Sequence, residues 1–141
     1  MNVLFVCTAN SCRSQMAEAW AHHLFPAGWT VASGGLLTYR ITARTRRAMA
    51  EVGLDMAGQE PKTFDRFDLN AFDLIVTLSR EAGRFLPTLR DPSRHVRCPV
   101  PDPMGVVGEP AEVAAAFTQG RDTIRNIVEK VVNGEIQVGM N

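Results

Sequence analysis

The N-terminal segment constrains this chain most. Residues 3–6 form a continuous apolar run, Val-Leu-Phe-Val, that reads as a buried strand. Residues 7–14 are polar. From residue 15 to residue 25, apolar side chains recur at Met16, Ala19, Trp20 and Leu24, which is helical spacing, and Pro26 and Gly28 end it. A buried strand that feeds through one loop into a helix opens a parallel α/β unit, because the chain must cross over before the next strand can pair beside the first.

The rest of the chain continues the alternation. Residues 29–32 read as a second strand, broken by Gly34 and Gly35. Residues 42–52 read as a second helix stopped by Gly53. Residues 73–78 read as a third strand, apolar on both faces as parallel sheets require. A short helix is expected from Arg80 and a fourth strand over residues 95–98. Pro99, Pro101 and Pro103 forbid regular structure after it. Pro110 suits the first turn of a last helix, whose stripe is Val113, Phe117, Ile124, Ile127, Val128 and Val131, with Gly120 as a weak point. The expected class is α/β: a three-layer fold with a four-stranded parallel sheet flanked by helices.

At 141 residues the chain suffices for one domain, expected over 1–133, with a flexible tail over 134–141. Lys plus Arg and Asp plus Glu number 15 each, a balance that argues against a nucleic-acid or anionic-membrane partner. No apolar run is long enough to span a bilayer, and residues 1–6 lack the features of a signal peptide. The three cysteines, Cys7, Cys12 and Cys98, form neither a disulfide framework nor a zinc spacing with His22, His23 or His95. That usage fits a reducing, cytoplasmic compartment, and no metal is expected.

Residues 7–14, Cys-Thr-Ala-Asn-Ser-Cys-Arg-Ser, carry the chemistry. The backbone N–H groups of Thr8, Ala9, Asn10, Ser11 and Cys12, placed between a strand and a helix N-terminus, make a cradle for a tetrahedral oxyanion. Cys7 stands at its base, where the same donors favour a thiolate nucleophile. Arg13 grips two oxygens with its planar fork, and Ser14 donates to the sulfur. Asn10 suits a left-handed backbone. The departing oxygen needs a proton donor, and Asp102, on the same rim and between two prolines, is the candidate. Taken alone, that Asp-Pro reads as a turn.

Residues 7–20 resemble the low-molecular-weight protein tyrosine phosphatase superfamily and look most like its thiol-coupled arsenate reductases. The resemblance extends from Val3 to about Val132, and residues 28–33 and 52–56 share it. It implies that Cys7 is the nucleophile, Arg13 the oxyanion clamp and Asp102 the general acid, on a four-stranded parallel sheet. The phosphatases usually carry proline where this chain has Gln15, and Ala9 replaces a usual glycine. In some of the reductases a potassium ion is held at the positions of Asn10, Glu18, Ser33 and a further acidic residue. Here that last position is Lys62, whose ammonium either replaces the ion and pairs with Glu18 or is simply solvated.

The thioredoxin-coupled reductases resolve their intermediate with two cysteines after the third strand, and the matching positions are Ser79 and Leu86. Cys12 or Cys98 could substitute, or an external thiol: thioredoxin, glutathione with glutaredoxin, mycothiol or bacillithiol. Cys98 otherwise reads as a small buried hydrophobe, and Cys12 as the partner of a protective disulfide with Cys7. Met104 and Gly105 stand where phosphotyrosine enzymes carry a stacking tyrosine, and Ser11 is small and polar where those enzymes carry a bulky aliphatic residue.

Elsewhere, Arg40, Arg44, Arg46 and Arg47 read as a solvated face or an anion-steering patch, and Tyr39 as a substrate contact or a cap on the core. Trp20 and Trp29 read as packing residues, and His22 and His23 are assigned no role. The leading reading is an arsenate reductase acting on arsenate or phosphate-like oxyanions. A phosphatase for tyrosine or arginine phosphate is the alternative, and an oxyanion-binding or redox-sensing module the third.

Overall fold

The computed structural model describes residues 1–140; Asn141, the end of the expected tail, lies outside the described residues. Strand β1 (Asn2–Cys7) leads into helix α1 (Arg13–Leu24), followed by β2 (Thr30–Gly35) and α2 (Ala43–Ala50). Strand β3 (Leu74–Thr77), α3 (Arg80–Phe85), β4 (His95–Arg97) and α4 (Pro110–Val132) complete the alternation. The strands form one parallel sheet in the order β2-β1-β3-β4. Every strand therefore ends on the same rim, with β1 in the interior of the sheet.

Both faces of the sheet are covered, as a parallel sheet requires. Val3, Phe5, Leu74, Val76 and Val96 pack with Met16, Trp20, Met49, Phe117, Ile124 and Val128, from α1, α2 and α4. Leu4, Val6 and Ile75 pack on the other face with Phe72, Ala82, Leu86 and Leu89. The three-layer α/β expectation holds. Among the described residues, no helix is long and apolar enough to cross a membrane.

One local expectation is corrected and two are refined. Gly34 and Gly35 do not break the second strand; β2 runs through both. A Cβ on Gly35 would lie 2.4 Å from the Leu37 carbonyl oxygen and 2.7 Å from the Asn10 nitrogen. The glycine is there so that the strand can approach the loop closely. Gly120, the expected weak point, lies within α4 and leaves the helix continuous. A Cβ there would lie 2.8 Å from Pro103 Cγ, so the helix bares its backbone to receive the proline. Finally, the chain after Asn133 is not loose throughout: Ile136 is buried in the main core, and the Gly139 amide donates to the Ser93 carbonyl at 2.7 Å.

The expected stripe of α4 also shifts. Val113 and Ile127 only flank the core, while Arg121 is buried. Its guanidinium donates to the Ala48 carbonyl at 2.9 Å and to Asp122, and its own carbonyl accepts from Trp20 Nε1. A buried arginine is tolerated because these partners replace its water. Trp20 and Trp29 are packing residues, the latter edge-on to Phe25.

His95 on β4 is buried, with Nε2 2.9 Å from Thr77 Oγ1. Burial, helped by the nearby Arg97, lowers its pKa to about 4 from 6.5. Below pH 6.5 the unfolded chain takes up a proton that the folded chain refuses until about pH 4. The stabilising contribution of neutral His95 is thus complete above pH 6.5 and fades as the pH falls toward 4. Urea melts of the native protein and His95→Gln should show a stability gap that narrows across that window. A gap independent of pH would refute the assignment.

Candidate active site

The loop between β1 and α1 is held open from outside. The carbonyls of Cys7, Thr8 and Ala9 accept from the amides of Leu36, Leu37 and Tyr39 at 3.0–3.2 Å. Planar trans peptides put each following N–H opposite its carbonyl, so the amides of Thr8, Ala9 and Asn10 face away from that flank. They join the unpaired first-turn amides of α1, where the helix dipole adds positive potential.

Asn10 is the one non-glycine residue with positive φ among the described residues, at 49°. Its fully buried side chain uses both amide hydrogens and both oxygen lone pairs. Nδ2 donates to Ser14 Oγ at 2.7 Å and Ser33 Oγ at 3.0 Å, and Oδ1 accepts from Gln15 Nε2 at 2.8 Å and the Lys62 amide at 2.9 Å. Ser14 Oγ lies 2.9 Å from Cys7 Sγ, so the nucleophile candidate sits against a hydroxyl that Asn10 already polarises.

Arg13, the first residue of α1, is buried; Nη1 donates to the Val100 carbonyl at 2.9 Å, and Nη2 is 3.7 Å from Asp102 Oδ2. Asp102 uses Oδ1 to accept the Met104 amide at 2.9 Å, capping the turn Pro103–Gly105, and leaves its other oxygen toward Arg13. The turn is anchored by Pro103 against bare Gly120. The fold therefore brings together Cys7, Arg13, Ser14 and Asp102, which are up to 95 residues apart in the chain. A cysteine sulfur, a planar cation, a ring of N–H donors and a carboxyl group on one rim can bind a tetrahedral oxyanion and displace one of its oxygens.

The support residues also converge. Ser33 Oγ donates to Glu18 Oε1 at 2.7 Å, and Lys62 Nζ lies 3.8 Å from the same oxygen and donates to the Glu60 carbonyl at 2.9 Å. The oxygens of Asn10, Ser33 and Glu18 face protein donors, and an ammonium already stands among them. This set does not fit a potassium ion. His22 Nε2 lies 3.5 Å from Glu18 Oε2 on the exposed side of α1.

All three cysteines are free thiols, and Cys12 stands near enough to Cys7 for the charge of one to act on the other. Cys12 is buried and hydrogen-bonded to Thr45 of α2, and burial pushes its pKa up to about 12. Cys98 is half-buried in the main core, its pKa also raised by burial. The pairings Val6 with Thr77 and Thr77 with Arg97 continue to Cys7, Leu78 and Cys98 in one row. Two strand spacings make the Cys7–Cys98 Cα separation about 10 Å. Leu78 lies between them, and disulfides need about 7 Å or less. Ser79 caps α3 by accepting the Ala82 amide and also accepts the Thr8 hydroxyl; Leu86 is core.

Ser11 donates to Met104 Sδ at 3.0 Å, closing the wall where an aromatic side chain was sought. Tyr39 is exposed with Arg40 stacked on its ring at 4.8 Å, and Arg44, Arg46 and Arg47 are all exposed on α2. A cleft of about 560 Å³ opens over the rim, lined by Thr8, Arg13, Arg80, Glu81, Pro99, Val100, Pro101 and Asp102. Arg80 and Glu81 were not singled out from the sequence. Their one sequence signal is that they directly follow the end of β3, on the rim where parallel strands present their ligands.

A family model described as low molecular weight phosphotyrosine protein phosphatase matches residues 2–137. The chain belongs to that family. It is 34% identical over 127 residues to an arsenate reductase of Staphylococcus haemolyticus, covering 90% of this chain and 92% of that one. It is 41% identical over 103 residues to an arsenate reductase of Brevibacillus brevis, covering 73% and 77%. A solved arsenate reductase in its phosphate-binding state superposes with a TM-score of 0.77 at 29% identity, over 94% of this chain and 97% of that one. The resemblance carried by residues 7–20 is confirmed. The protein is an enzyme of the fold that arsenate reductases and low molecular weight phosphatases share.

The Gly120–Pro103 contact generates a test. Alanine at 120 favours the helix by about 1 kcal/mol but drives Cβ into a ring that cannot bend away. Gly120→Ala should therefore keep its stability and its affinity for phosphate, measured by calorimetry, while turnover falls about tenfold or more as Asp102 moves. Unchanged turnover would mean that the contact does not position the acid.

Proposed function

We propose that this enzyme reduces arsenate to arsenite and takes its electrons from a thiol outside the chain. The observation that carries the reading is the pairing of a complete oxyanion site with reductase relatives, with a Cys98 that lies two strands from Cys7 and with a Cys12 that is buried and hydrogen-bonded to Thr45. Arg13 exchanges the Val100 carbonyl for two oxygens of arsenate. The Cys7 thiolate forms a bond to arsenic, and one oxygen departs with a proton from Asp102; arsenic stays pentavalent. An incoming thiolate then attacks the Cys7 sulfur. The S–S bond forms as the S–As bond breaks, and its electron pair stays on arsenic, which leaves as trivalent arsenite. A second thiol exchanges with the mixed disulfide, freeing Cys7 and carrying away the oxidised donor.

Thioredoxin, glutathione with glutaredoxin, mycothiol and bacillithiol all supply the required thiolate, and the consumption of thiols assigns the reaction to the reducing cytoplasm. Because Ser79 and Leu86 are built into a helix cap and the core, no cysteine relay forms after β3. Arsenite formation should follow from at least one donor supplied singly. It should vanish in Cys7→Ser, fall about 10²-fold or more in Asp102→Asn, and survive in Cys98→Ala. Loss of turnover in a folded Cys98→Ala would show an internal donor instead.

A second reading, hydrolysis of a cysteinyl-phosphate by water, is favoured by the same Cys7, Arg13 and Asp102 set. Phosphate release from aryl or arginyl phosphate without any thiol would support it. The Ser11–Met104 contact and the lack of a stacking tyrosine argue against phosphotyrosine in particular.

Because Lys62 stands beside Glu18, exchanging sodium for potassium at constant ionic strength should leave both thermal stability and kcat/KM unchanged. Lys62→Ala opens the site, and a potassium response should appear only in that variant. A response in the native protein would contradict the assignment.

A further inference from the structure

We propose that the cleft between α3 and the Asp102 loop is the docking site of the electron donor, and that Arg80 selects a small thiol bearing a carboxylate. The proposal rests on the reductase reading above and names the co-substrate of the same site.

The size of the cleft is the first observation. Its 560 Å³ would hold roughly 18 waters at about 30 Å³ each. A five-atom oxyanion held at the loop occupies a small part of that. The second observation is the placing of the other thiols. Cys98 lies two strands from Cys7 behind Leu78, and Cys12 is buried and hydrogen-bonded to Thr45. A donor sulfur from solvent enters through this cleft, which opens beside Cys7: Thr8, its lining residue, is the neighbour of Cys7 in the chain.

The charges on the walls supply the selectivity. Of the two guanidinium groups, Arg13 is engaged with Val100 and Asp102, and passes to the oxyanion when one binds. Of the two carboxylates, Asp102 caps its turn and faces Arg13, and Glu81 accepts the Thr8 hydroxyl at 3.3 Å. Arg80 is exposed on the opposite wall and makes no hydrogen bond or salt bridge to a described residue, its charge acting at longer range on the neighbouring Glu81. It is the cation of the cleft left over once arsenate is bound. A planar guanidinium takes a carboxylate through two parallel hydrogen bonds. A small thiol that pairs its carboxylate with Arg80 has its sulfur inside the cleft that opens beside Cys7.

The test compares 3-mercaptopropionate with 2-mercaptoethanol, two thiols of similar size that differ in the carboxylate, as donors for arsenate reduction. In Arg80→Ala, kcat/KM for 3-mercaptopropionate should fall about 1.5-fold to fivefold, the range for one exposed charge pair. The value for 2-mercaptoethanol and the affinity for phosphate should stay as in the native enzyme. The contrast should shrink at about 0.5 M salt, where exposed charges are screened over a few ångströms. Arg80→Lys should keep part of it. Equal losses for both thiols, or no loss for either, would overturn the assignment, as would turnover confined to a protein dithiol. A single turnover with dithiothreitol tests the reductase reading separately. If arsenite appears there and Arg80 shows no contrast, the docking site alone is wrong; if no arsenite appears, the reading beneath it is wrong as well.

Discussion

The four hydrogen bonds of Asn10 hold the rest of the site in place. The left-handed backbone at this residue bends the loop back on itself, and an L-residue occupies that conformation only against a steric cost. The cost is offset because the side chain is saturated: α1 contributes Ser14 and Gln15, β2 contributes Ser33, and the segment before the third strand contributes the Lys62 amide. One buried amide thus ties three separate stretches of chain to the curvature of the loop. Removing any partner leaves a buried polar group unpaired, which is costlier than the bond was worth.

The same loop explains two glycines. Gly35 lets β2 lie within contact distance of the Asn10 nitrogen, and Gly120 lets the Asp102 turn lie on α4. Both approaches are backbone against backbone or against a rigid ring, where a methyl group has nowhere to go. The nucleophile and the acid candidate are therefore positioned by close packing from opposite sides of the rim, with Arg13 bridging between them. In the structure described, that arginine is held by the Val100 carbonyl and by Asp102, so the guanidinium stays desolvated and oriented before an anion arrives.

The thiol arrangement follows from sheet geometry. Cys7 and Cys98 share a face and a row, yet a parallel sheet puts β3 between their strands. No side-chain rotation closes two strand spacings. Cys12 is nearer in sequence but turns its sulfur to Thr45 under the second helix, away from water. On the proposed reading Cys7 is the one thiol of the chain that reacts, and an open cleft admits another.

What the sequence alone determined is local. An apolar run, a polar loop of Cys-x5-Arg-Ser type and a 3.6-residue period specify strand, cradle and helix because neighbouring residues make those contacts; the parallel α/β class followed from repetition of that unit. Cys7, Asn10, Arg13, Ser14 and the Asp102 turn were legible for the same reason. Gly35 reads in the sequence as a break and Gly120 only as a weak point, since the reason for each lies in partners up to 25 residues away. The burial of Ile136 and Arg121 and the wall formed by Arg80 and Glu81 were likewise invisible. So was the separation of Cys98 from Cys7, which depends on strand order. These belong to tertiary structure because each is decided by which distant segments pack together, and no periodicity along the chain encodes that choice.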